Sequence, residues 1–508
     1  MASRAPLIIL GFDVGDPRWL REWAEQGQLP TLASIMERGA WGETTGPDLI
    51  NEHSVWVSLL SGVPMSRHGF FYYRRLKPGT YELETITGRD AVAQPFWAHA
   101  RGKRIAVIDA PHFYPQPGMK GIHLSEWATH HPYFPPASSP PDLLETVHRV
   151  FGPQIRIPEE LESSLKADRK IFERALLRLE KTGALCRRLL EGDAFDAAVI
   201  VFADSHLATH QFWEYRPEHR GERKLDPRGV LDRAIPEIFQ RIDREMGSLI
   251  ERLPPDANVC IVSSTGMLDH FPTTGLIEGF CRSLGYQASP PVSTRVRPLG
   301  LLRGLLPERL RYALSRRLPE STQQRLMNEK FRSGTDWSRT TAFAIPTFFT
   351  SFLRVNLKGR EPEGAVNRGE DYHALLDRLA ADLHLLTDPH SGQPLVKDVL
   401  RTCTLHGGDP PGLLPDLFVE WVPHTRYLER AAHPRADVVA YPPEVWRGND
   451  HSRSGFVAMA GPSIRQRGAL GEVSLLDLAP TFLALMEETP APGMTGSPLP
   501  VLVTQPGP

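Results

Sequence analysis

Short apolar runs alternate with longer helical patterns along this chain. Residues 7–10, 105–108, 197–202 and 259–262 are apolar, rich in β-branched side chains and too short for helices, so they read as buried strands. Residues 19–38 and 230–253 carry the helical pattern, and a further helix is expected at 475–486. Strand, helix, strand is the βαβ rhythm of a mostly parallel sheet, which sets the expected class as α/β. Ligands of such sheets gather beyond the carboxyl ends of the strands. The residues just after each run are therefore the place to look for chemistry.

Behind the run 197–202 stands ADSHLATHQFW, residues 203–213. Asp204 or Ser205 can cap a helix starting there, and His206 and His210, four apart, would then share one helix face. That spacing suits metal ligation, although a histidine pair of this kind is more often a surface or structural feature. His451, just before the apolar segment 455–460, is a third candidate for the same sheet edge.

Composition narrows the partners. With 508 residues and 41% apolar content the chain can bury a large core. Its 58 basic and 60 acidic residues balance to a net charge of -2, which argues against nucleic acid or an anionic membrane as partner. No stretch approaches the ~20 apolar residues of a membrane span. The four cysteines are scattered without CxxC spacing, so neither a disulfide framework nor a cysteine zinc site is expected, and reduced thiols fit a cytoplasmic protein. Pro-rich segments at 134–141 and 289–298 mark loops or insert boundaries, and 299–333, rich in Arg and Leu, reads as amphipathic helices with a solvated basic face. The expected organisation is one catalytic domain, 1–287 and 336–508, interrupted by a helical insertion at 288–335.

The order of the short motifs resembles the alkaline phosphatase superfamily, in its type I phosphodiesterase and nucleotide pyrophosphatase branch. The pieces are GFDVGDP (11–17), LPTL (29–32), WVSLLSG (56–62), HGF (68–70), HQFW (210–213) and SSTGM (263–267). Collinear with them follow DWSRT (336–340), VNLKGREPEG (355–364), PDL (415–417), HSRSG (451–455), GPSIR (461–465) and DLAPTF (477–482). The resemblance implies an alkaline-phosphatase-like sandwich, a central mostly parallel sheet flanked by helices, and two metal ions, usually zinc, that clamp a transferring phosphoryl group. It matches Asp13 to the family's first-strand aspartate, and His210 and His451 to histidines of one metal site. His206 stands where the family has aspartate, which makes that site three histidines, an arrangement that suits catalytic zinc and also Mn2+ or Fe2+. The other site departs further. Ten positions before Gly62, where the family has its Thr or Ser nucleophile, stands Glu52, and Ser264 and Thr265 replace an Asp-His pair. Asp13 and Glu52 are then the remaining carboxylates, and one ion rather than two is expected. A shifted loop presenting Ser54, beside Asn51, is the alternative to Glu52.

These residues imply a metal-dependent hydrolase of a phosphate ester or phosphodiester, with a small phosphorylated molecule as substrate. Glu52 suits the role of general base or extra ligand, and Asp13 that of direct metal ligand, second carboxylate or orienting group. Another reaction class on the same scaffold (carboxyl-ester or amide hydrolysis, elimination, group transfer) and a non-catalytic binding protein stay open, as does the oligomeric state. His53 is read as lining the pocket and His68 as structural. His270 and Asp269 are read as loop residues, Asp204 as a cap or an imidazole's partner, and Trp56 and Trp213 as core.

Overall fold

The computed structural model describes residues 6–90, 93–129, 135–157, 164–191, 194–219, 224–271, 273–290, 320–347, 350–441 and 448–502. Its strands in the first half of the chain are β1 (Leu7–Phe12), β2 (Ala40–Thr45), β3 (Arg74–Leu76), β4 (Leu83–Thr85), β5 (Arg104–Ile108), β6 (Lys120–Ser125), β7 (Ala137–Ser139) and β8 (Ala197–Phe202). Then come β9 (Asn258–Ser263), β10 (Met267–Asp269), β11 (Ala342–Ile345), β12 (Ser351–Val355), β13 (Val396–Arg401) and β14 (Leu417–Trp421). The last are β15 (Arg430–His433), β16 (Ala436–Val439), β17 (Asn449–His451), β18 (Gly455–Ala460) and β19 (Gly468–Ser474).

Nine strands form the main sheet in the order β19-β2-β18-β9-β1-β8-β5-β6-β7. Pairing is parallel from β9 through β1, β8 and β5 to β6, and antiparallel where β18 enters between β2 and β9. The expected α/β class with a mostly parallel sheet is what the chain adopts. Every residue of β1, β8 and β9 is buried because both faces are covered. Alternation divides them: Ile8, Leu10 and Phe12 join one apolar core while Leu7 and Ile9 join the other. The expected helix 19–38 is two helices, Pro17–Glu25 and Pro30–Arg38. Gly27, at φ 74°, turns the chain between them, and Pro30 starts the second, where its missing N–H leaves nothing unpaired.

Residues 342–421 build a separate antiparallel sheet, β11-β12-β14-β13. The helix Glu370–His384 lays Tyr372, Leu375, Leu379 and Leu383 into the core on one of its faces. On the other, Phe343, Phe352 and Phe418 pack with Phe71, Tyr72 and Tyr81. Residues 291–319 of the expected insertion lie outside the described residues. The helix Glu320–Ser333 docks on the two-stranded β3-β4 sheet through Asn328, whose Oδ1 accepts from Leu83 N (2.6 Å) and whose Nδ2 donates to Leu83 O (2.9 Å). Among the described residues no helix is long and apolar enough to cross a membrane. All four cysteines are buried and unpaired.

Candidate metal centre

Register brings the site together. Phe12 pairs with Phe202 on one side and Ser263 on the other, so Asp13, the turn at Ala203 and Ser264 emerge side by side from the carboxyl edge. The helix Asp204–Gln211 starts in that turn with no side-chain cap, because Asp204 is held elsewhere: the buried Arg178 reaches it at 2.8–2.9 Å. Ser205 Oγ instead accepts from Val14 N (3.2 Å). The cap reading of Asp204 and Ser205 is thus replaced by a buried ion pair and a tie to the first strand. His206 and His210 follow on one face, with ring centroids 4.8 Å apart.

His451 comes from β17, which pairs with β10 so that His451 faces Met267. It meets His206 across 245 positions of sequence, Nε2 to Nε2 at 3.0 Å. One ligand atom from each of the three histidines lies within 4.8 Å of the others. On a tetrahedral zinc with bonds of ~2.0–2.1 Å, ligand atoms stand roughly 3.3 Å apart. The donor set and its spacing therefore fit a transition-metal ion. Hydrogen bonds behind the rings prepare them for it. Asp13 Oδ2 lies 3.1 Å from His206 Nδ1, so the carboxylate accepts that proton and Nε2 carries the lone pair. Asn449 donates its Nδ2 to Thr209 O (2.9 Å), which turns its Oδ1 toward His210 Nδ1 at 3.4 Å and selects the same tautomer there. Asp13 is itself buried, and its Oδ1 accepts from Trp56 Nε1 at 2.6 Å.

Glu52 opens the helix Glu52–Ser61, after Asn51, whose side chain accepts from His53 N (3.1 Å) as N-cap. Its Oε1 lies 2.8 Å from His53 Nδ1. Burial pushes the Glu52 carboxyl up, but His53 and, more weakly, His451 outweigh it and hold the group at about 2. Glu52 and His451 line one cleft of about 120 Å³, whose far wall is the four-stranded sheet at Lys397, Glu420 and Trp421. The structure thus brings Glu52 to the triad's side.

The alternative hydroxyl is engaged elsewhere. Ser54 Oγ lies 2.6 and 2.8 Å from the carbonyls of Asp48 and Asn51. Ser264 Oγ donates to the Asp13 carbonyl, and Thr265 Oγ1 is buried with no hydrogen-bond partner among the described residues. Neither replacement offers a charge. His68 is fully buried, with Nε2 2.9 Å from Ser58 Oγ and Nδ1 accepting from Phe70 N (3.1 Å), as befits a structural residue. His270 Nδ1 accepts from His424 N (3.1 Å), and Asp269 accepts from Trp213 Nε1 (2.7 Å).

A sequence model of the type I phosphodiesterase / nucleotide pyrophosphatase family matches residues 7–278, more than half of the 508. The chain belongs to that family. It is accordingly a hydrolase of the phosphate ester class. No curated protein sequence matches it. Among solved structures, 208 chains match. One is human ectonucleotide pyrophosphatase / phosphodiesterase 5, 11% identical, with 97% of each chain covered and a TM-score of 0.48.

Within this phosphodiesterase family member, sequence reasoning missed two residues of the centre. Trp56 is core, as expected, and beyond that its indole serves Asp13; it stands four positions after Glu52 on the same helix, the spacing that turns both toward one side. Asn449 stands two before His451 in a strand, on the same face by alternation. Those periodicities were the available signals.

Proposed function

We propose that this protein is a single-metal phosphodiester or phosphate ester hydrolase that uses His206, His210 and His451 as ligands and Glu52 in place of a hydroxyl nucleophile. The observation that carries the reading is the convergence of three imidazoles from distant segments to within 4.8 Å. Zinc suits three neutral nitrogens best, with Mn2+ or Fe2+ as alternatives. Such an ion supplies Lewis acidity toward the phosphoryl group and the attacking water. Asp13 orients His206 and fixes its protonation. Glu52, ionised at neutral pH, accepts a hydrogen bond from the water and aligns it. His53, its Nδ1 2.8 Å from Glu52 Oε1, gives the departing proton a second place to reside. Replacement of the hydroxyl nucleophile by Glu favours direct attack of water over a covalent phospho-enzyme.

The test pairs metal content with turnover. Purified protein supplied with zinc, manganese or iron should hold one equivalent and cleave aryl phosphate mono- or diesters. Turnover of aryl carboxylic esters alone would move the protein to another reaction class, and failure to retain any of the metals would leave a binding protein.

A further inference from the structure

The cleft beside Glu52 and His451 has basic residues on its other side. Lys397 Nζ lies 3.0 Å from Glu420 Oε1, and Arg453 Nη1 lies 2.7 Å from Glu420 Oε2. Each oxygen of one carboxylate steadies one cation, so the group carries a net positive charge. Both cations line the cleft. Lys397 is there by a local irregularity: Val396 faces Trp421 and Asp398 faces Glu420, which leaves Lys397 as the extra residue of a β-bulge. Bulges re-aim a side chain, and this one turns Lys397 to Glu420. Arg453 follows His451 by two residues, so the segment that presents a candidate ligand also presents the guanidinium. Its Nη2 is buried with no hydrogen-bond partner among the described residues. Buried donors are nearly always satisfied, so this Nη2 is open to an acceptor from outside the protein, water or ligand.

We infer that Arg453, steadied with Lys397 by their shared Glu420, is the cationic arm that holds the oxygens of the transferred phosphoryl group. The inference rests on the phosphate ester reading above. Place supports it: Glu52, His451, Lys397 and Arg453 all line the same cleft of about 120 Å³. Charge supports it too. Ser264 and Thr265 hold no second cation, and the negative charge of a phosphoryl group needs a counter-charge placed in advance. Arginine supplies this in a fixed, planar fork that no proton loss removes. Beyond Glu420 the cleft carries two acids, Glu52 and Asp450, and Asp450 accepts from the backbone N–H of His451 (2.7 Å).

The experiment measures binding of inorganic phosphate by calorimetry to metal-loaded protein, with turnover of bis(4-nitrophenyl) phosphate alongside, in the unaltered chain and in Arg453→Gln, Arg453→Lys and Lys397→Gln. Arg453→Gln should weaken phosphate roughly tenfold to a hundredfold at unchanged metal content, the scale of a hydrogen bond to a charged group. Arg453→Lys should recover part of the loss, and Lys397→Gln should show a smaller one. Lys397 is 60% exposed, so its variant keeps the test alive should Arg453→Gln fail to fold. Equal phosphate affinity in all four proteins, or none in the unaltered chain, overturns the inference. Arg453-dependent phosphate binding without turnover of any phosphate ester would sustain the arm and sink the hydrolase reading.

Discussion

Replacing Asp13 separates two jobs that its carboxylate performs at once. Oδ1 accepts from Trp56 Nε1 at 2.6 Å and Oδ2 from His206 Nδ1 at 3.1 Å, so the group must be a double acceptor. Asp13→Ala removes both bonds but leaves His206 free to choose its tautomer. Loss of such a partner behind a ligand weakens metal binding by ~10–100-fold, or about 1.4–2.7 kcal/mol. The abandoned indole N–H adds a folding penalty of about 1–3 kcal/mol. Asp13→Asn should behave differently. Its single acceptor can serve Trp56 or His206 but not both. With the oxygen on Trp56, the amide N–H faces His206 Nδ1 and forces the proton onto Nε2, which then points a hydrogen at His451. Asn should therefore be the milder change for stability and the harsher one for metal, by roughly a further tenfold. Chelator competition gives the metal affinities, and urea unfolding of metal-free protein gives the stabilities. Wild-type metal affinity in Asp13→Asn would refute the tautomer argument, and so would an Asn variant less stable than Ala.

Glu52→Gln should keep its place in the helix yet lower turnover by ~10²- to 10⁴-fold if the carboxylate handles the proton, read as kcat at matched metal content. Glu52→Thr should not rescue it, because Ser264 and Thr265 offer no charge for a second ion; a vigorous Thr variant would show that the hydroxyl route works here. Asn449→Ala should loosen His210 and weaken metal by about tenfold, while Asn449→Asp, still an acceptor, should retain it, both by chelator competition. Burial holds His68 at about 3, well under its unfolded value of ~6.5. The unfolded chain therefore takes up the proton first: the contribution of neutral His68 is complete above pH ~6.5 and declines as pH falls toward 3. At pH 5 this group alone should have removed about 2 kcal/mol, and a His68→Asn variant should show a flatter stability profile between pH 7 and 5 by urea unfolding.

The legible part of this molecule was its chemistry at strand ends. The apolar runs before Asp13 and His206 set where those side chains emerge, and motif order alone linked His451 to them. Hydrogen-bonded partners were legible only as faces: periodicity turns Trp56 and Asn449 toward the centre, but does not say that Trp56 donates to Asp13 or that Asn449 stands behind His210. Asp204 shows why: an acid in the first turn ordinarily caps its helix, yet Arg178, 26 residues earlier, claims it in the buried interior. Residues 352–356 and 417–421 are strand-like in sequence, but periodicity does not say which sheet a strand joins. Only pairing partners decide that, and β12 and β14 pair with each other.

The position of β18 has a consequence for how the chain comes to be. It enters the interior of the main sheet between β2 and β9, more than four hundred positions after β2 has been made. Until then two neighbouring strands carry unpaired backbone donors and acceptors, the template that invites sheet-to-sheet aggregation. A nascent chain ending near residue 278 would hold His206 and His210 but neither the strand that seals the sheet nor the third imidazole. Closing the sheet and completing the triad are then a single late event, because β17 and β18 are separated by only three residues. A metal ion that binds the finished triad would act as a latch on that event, slowing the escape of β18 and with it the exposure of the edges it covers.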